Sequence, residues 1–160
     1  MNNDAQNQAE KIYSTMCDVL QNVLHWNFRR DDEKMHIFTT AVGKDLSMPL
    51  HIIVSAQRKL AYVKSPMPFS VAPVSRKVVG RAVNVANFSM LNGCFEYNED
   101  SGALAFRAVL PFDGCEISAE VCKYLILLSC QMTDKFNDKF LALSTGEMDL
   151  DGFKAFAYPN

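Results

Sequence analysis

Three histidines and five cysteines are the side chains best suited to chemistry in this chain: His25, His36 and His51, and Cys17, Cys94, Cys115, Cys122 and Cys130. Imidazole titrates near neutral pH and serves as acid, base or metal ligand. The three histidines fall on separate predicted strands without a fixed local partner. Each is therefore read as structural, since only a shared pocket would make one of them a base or a ligand. A cysteine nucleophile needs its thiolate stabilised by a helix start or a cation. Cys122 comes nearest, in the first turn of a predicted helix beside Lys123, but an unactivated thiol in an apolar seam is a packing residue. Zinc requires cysteines two to four apart or a nearby histidine pair, whereas the closest cysteines here are seven and eight apart. No metal and no cofactor is expected.

Other motifs fail at the positions that matter. Glu147, Asp149 and Asp151 followed by Gly152 imitate the start of a calcium loop. The twelfth position is Tyr158 where a bidentate carboxylate belongs, so this tail is read as solvated. No serine lies in a Gly-x-Ser-x-Gly turn, and Gly43-Lys44 lacks the upstream glycine and the hydroxyl of a phosphate loop. Arg58, Lys59, Lys64, Arg76, Lys77 and Arg81 make one basic patch only if the fourth strand and second helix are adjacent. With a net charge of −2 and no interleaved aromatics, no nucleic-acid partner is expected. The chain reads as a non-enzyme; the alternative is a small-molecule sensor or enzyme using His36, His51 or Cys122.

At 160 residues, 49% apolar and 21% charged, the chain has the composition of a folding sequence and the length of one domain, 1–160. Its longest apolar runs, such as Ile52-Ile53-Val54 and Tyr124 to Leu128, fall far short of the roughly 20 residues of a membrane-spanning helix, so no membrane partner is expected. Met1 to Gln6 lacks the basic start and apolar region of a secretory signal. The odd number of cysteines among apolar neighbours points to a reducing, cytoplasmic location.

The elements that must position these residues follow from periodicity. Ala9, Ile12, Tyr13, Met16, Leu20, Val23 and Leu24 recur at helical steps, predicting a helix from Asp4 to Leu24 started by Asp4. Period-two segments follow: Trp26 and Phe28, a turn at Arg29 to Glu33, then Met35 to Thr39. After a turn at Gly43-Lys44-Asp45 comes Met48 to Val54, with Pro49 suggesting an edge or a bulge, and then Leu60 to Lys64. Connections this short join antiparallel neighbours. Pro66-Met67-Pro68-Phe69 breaks the sheet, and Pro73 opens a second helix predicted to end at Asn92-Gly93. A hairpin spans Cys94 to Leu110. Ser118 caps a long helix whose seam runs from Val121 to Leu143, ending near Gly146, and Leu150, Phe153 and Phe156 pack a short tail back. The expected class is α+β, with an antiparallel sheet of five to six strands, flanking helices and the order α-β-β-β-β-α-β-β-α.

Pro66-Met67-Pro68-Phe69, Val83-Asn84-Val85-Ala86-Asn87-Phe88, Gly93-Cys94-Phe95-Glu96-Tyr97 and Ala105 to Pro111, followed by the long helix with Tyr124, Leu128 and Phe140, carry a resemblance. The stretch from Met48 to Leu143 is similar to YbjN-like domains. That resemblance implies the fold of small type III secretion chaperones, which pair as homodimers and hold extended polypeptide on apolar surfaces. It brings no catalytic residues. The function expected is a non-catalytic protein-binding or regulatory module, a homodimer with a possible protein or peptide partner, and Val79, Val83 and Ala86 of the second helix as the interface.

Overall fold

The computed structural model describes residues 3–158. Helix α1 covers Asn3–Asp18 and continues through a π-helical turn at Val19–Val23. Asp4 lies within its first turn, where a carboxylate meets the positive end of the helix dipole. Four strands follow: β1 Phe28–Asp31, β2 His36–Val42, β3 Ser47–Ser55 and β4 Leu60–Pro66, each antiparallel to the next. The charged run Arg29-Arg30-Asp31, expected as a turn, is instead the body of β1. Asp31 pairs with His36, and the turn is displaced to the four residues after it. Met35 and Lys59 close the β1–β2 and β3–β4 connections with positive φ of 46° and 51°, the left-handed residue that short hairpin loops require.

Helix α2, Arg76–Phe88, enters through a 3₁₀ turn opened by Pro73. It ends at Phe88, earlier than expected, because Ser89 closes it with backbone bonds to Val85 and Ala86. Gly93, with φ of 76°, instead starts the β5–β6 hairpin, β5 Cys94–Asn98 and β6 Ala103–Pro111. β6 inserts between β4 and β5, so the six-stranded sheet runs β1-β2-β3-β4-β6-β5. β3 is therefore an inner strand, contrary to the edge position suggested by Pro49. The proline is tolerated because the ladder to β4 begins only at His51, leaving Pro49 paired to Thr40 alone.

Helix α3, Ala119–Thr145, starts at Ser118, whose hydroxyl accepts from the Val121 N–H at 3.3 Å, and stops at Gly146 with φ of 81°. The short α4, Leu150–Ala157, is capped by Asp149, which accepts from the Gly152 N–H at 2.8 Å. Alternation along the strands assigns Ile37, Leu50, Ile52, Val63, Phe106 and Ala108 to one face, where all are buried against α1 and α3. An aromatic cluster closes the far end: Phe140 lies 5.0 Å from both Phe95 and Phe153, and Phe136 lies 5.4 Å from Phe95.

Candidate functional site

Among the described residues no helix covers the opposite face of the sheet, whose side chains are partly exposed. The strand registers lay two rows of side chains across it: Asp31, His36, Ile53, Tyr62 and Val109, and beside them Arg29, Phe38, His51, Lys64 and Arg107. From His36 to Val109 and from Phe38 to Arg107 these side chains are only partly covered. Glu96 on β5 holds both Lys64, at 3.2 Å, and Arg107, at 2.8 Å. The ion triad spans β4, β6 and β5 and neutralises much of the positive charge at that end.

At the other end His36 and His51 meet. His36 lies opposite Ile53 and His51 opposite Phe38, so the two imidazoles are diagonal neighbours on adjacent strands. His51 Nδ1 is 3.3 Å from His36 Nε2. The Phe38 ring packs against both, tilted on His36 with centroids 3.8 Å apart and edge-on to His51 at 5.2 Å. His51 also lines an open depression of about 500 Å³ with Arg29, Phe38, Thr40 and Pro49. Pairing strands by sequence period alone gives no register, so this meeting was invisible in the sequence. His25 stands apart, with positive φ and a contact to the Gln21 carbonyl.

Burial, followed by the neighbouring charge of His51, lowers the affinity of His36 for a proton; burial, followed by Lys64, does the same for His51. The sign of the consequence is fixed by linkage. Both groups bind protons more weakly in the folded chain than in the unfolded one. Their contribution to stability is therefore complete above the ordinary histidine value of 6.5 and is lost as pH falls below it. We expect the melting temperature to drop between pH 6.5 and 5, and the His36→Gln/His51→Gln double variant to show a shallower drop in the same scan. An identical pH profile for the two proteins would refute this.

The remaining candidate residues are dispersed. Cys122 is fully buried on α3, on the helical side of the sheet, and burial pushes its thiol up to about 11, so it is an inert packing residue and shares no site with the histidines. Val79 and Ala86 are completely buried and Val83 nearly so, which corrects the expected interface: their helical spacing marks the stripe of α2 that packs inward. The basic residues do not form one patch, because β6 and β5 lie between β4 and α2. The acidic imitation of a calcium loop is the cap and first turn of α4, where Asp151 pairs with Lys154 at 2.9 Å.

A second exposed feature lies where α2 ends. Phe88 is 84% exposed and Leu91 fully so. Tyr158 packs edge-on to Phe88 at 6.2 Å, and Tyr124, half exposed, accepts from the Asn92 amide at 3.3 Å. Phe88 and Leu91 lie at and just after the C-terminal end of α2, away from the buried stripe of Val79, Val83 and Ala86.

Among the described residues no three His, Cys, Asp or Glu side chains gather in a metal-binding group, and no helix is long and apolar enough to cross a membrane. In comparison with known proteins, no family model matches the chain, and no curated protein matches it. The chain is thus an α+β protein with an uncovered antiparallel sheet face, a paired-histidine corner and an apolar end on α2.

Proposed function

We propose that the chain is a non-catalytic protein-binding module of the cytoplasm that holds a polypeptide on the uncovered face of its sheet and works as a homodimer. The observation that supports this best is the uncovered face itself. Six strands at about 4.8 Å spacing and seven residues at about 3.3 Å make a surface of about 24 Å by 23 Å. Covering it on both partners would bury about 1,100 Å², enough for a specific contact. Phe38, Ile53, Leu60, Tyr62 and Val109 supply apolar area, and the histidines and the Glu96 triad supply polar groups to orient a chain.

A partner sits on this face more readily than it adds a strand. β1 is four residues long and half cationic, and such edges resist pairing. The Asn87 amide occupies β5 from the α2 side, accepting from the Phe95 N–H at 2.7 Å and donating to its carbonyl at 3.0 Å. The homodimer expected from the YbjN-like resemblance is assigned to Phe88 and Leu91, whose exposure leaves apolar surface that a second copy would cover.

Light scattering coupled to size exclusion, with and without a pool of unfolded peptides, tests both parts. We expect a dimer that retains peptide. Phe88→Asp with Leu91→Asp should yield monomer, and Phe38→Glu with Tyr62→Glu should abolish retention while leaving the dimer. A wild-type monomer that retains no peptide would overturn the proposal. The second reading, a small-molecule sensor, is favoured by the His36–His51 pair beside its depression. It would gain from a ligand that raises the melting temperature of the wild type but not of His51→Gln.

A further inference from the structure

We propose that His36 and His51 form a two-histidine site for a divalent transition-metal ion of the Zn²⁺ and Ni²⁺ class, with its other coordination positions open to solvent. The proposal is independent of polypeptide binding and rests on the geometry of the pair. Two imidazole nitrogens bound to one tetrahedral ion at 2.0–2.1 Å stand about 3.3–3.4 Å apart. His51 Nδ1 and His36 Nε2 already stand 3.3 Å apart. The separation of the two nitrogens thus matches the bite of one ion.

The scaffold keeps it so. β2 and β3 each have a strand on both sides at this point, and Phe38 packs against both rings, which restricts their rotation. The charged neighbours are of both signs: Arg29 and Lys64 oppose a cation, and Asp31 favours one. On the β1 side Asp31 lies opposite His36 and pairs with Lys34 at 3.1 Å, and on the β4 side Lys64 is held by Glu96. Burial lowers the proton affinity of both rings, which weakens the competition of protons for the ligand nitrogens. In the metal-free pair one ring donates its N–H to the other. When the ion binds, that ring carries its proton on its other nitrogen, so each imidazole keeps one proton and the neutral pair releases none. Water completes the shell, because no third His, Cys, Asp or Glu side chain converges there among the described residues. Imidazole is a good ligand for zinc, nickel and copper.

The test is calorimetric titration of the full, chelator-stripped chain with Ni²⁺ and with Zn²⁺. It is done in a Cys115→Ser background, since that exposed thiol is a competing ligand. One ion per chain is expected, with loss of saturable binding in His36→Gln and in His51→Gln and full retention in His25→Gln. A second readout needs no histidine variant: long-range ¹H–¹⁵N spectra should show His51 Nδ1 and His36 Nε2 shifting on addition of Zn²⁺. Binding unchanged by either substitution, or ring nitrogens that do not respond, would overturn the proposal.

Discussion

Replacing Phe140 with alanine is expected to lower the free energy of unfolding by about 3–5 kcal/mol. The ring is completely buried and sits where three elements meet: Phe95 comes from β5, Phe136 from α3 itself and Phe153 from α4, with centroids at 5.0, 6.1 and 5.0 Å. The loss combines apolar transfer, an unfilled cavity and aromatic contacts that add about 0.5–1.5 kcal/mol per pair beyond area. A domain of this size is stabilised by about 5–15 kcal/mol in total, so the loss would take between about a fifth and all of that margin. Urea denaturation is the measurement. Phe140→Leu, which leaves a smaller void, should fall between the alanine variant and the wild type. A midpoint for Phe140→Ala within error of the wild type would show that the cluster contributes little.

Gly93→Ala is expected to be nearly as damaging, for two separable reasons. The residue has φ of 76°, which costs an L side chain about 1–2 kcal/mol. Its new Cβ would also overlap Phe106 Cζ and lie 3.1 Å from the Arg107 carbonyl oxygen. Phe106 is completely buried and packs edge-on against Phe95 at 5.2 Å, so it has nowhere to retreat, and overpacking of this kind adds about 1–3 kcal/mol. Gly146→Ala separates the two contributions. That glycine has φ of 81° and open space around its missing Cβ, so only the backbone cost remains. Equal losses for the two substitutions in urea denaturation would show that the crowding against Phe106 is relieved.

Both positions show how different kinds of information are distributed between chain and fold. Gly146 was readable as a helix stop because a cap depends on residues within one turn. Ser118 was readable for the same reason, and each acts as expected. Gly93 was readable as a residue of special conformation but was assigned to the wrong element. α2 closes at Ser89, while Gly93 belongs to the start of the β5 hairpin, where Phe106 from a neighbouring strand approaches it.

The α+β class, an antiparallel sheet of five to six strands and the long third helix were legible from local pattern. Periods of 2 and 3.6, turn residues and short connections act through neighbours a few positions away. The helical spacing of Val79, Val83 and Ala86 was legible too, but the stripe was expected as an interface. What buries it is a long-range matter, and the fold places it in this chain's own core. The same holds for the insertion of β6 between β4 and β5, for the face left without helices, and for the diagonal meeting of His36 with His51. A one-residue slip of β2 against β3 would move both imidazoles to the other face, and register is set by packing of the whole buried face, not by any residue near either histidine.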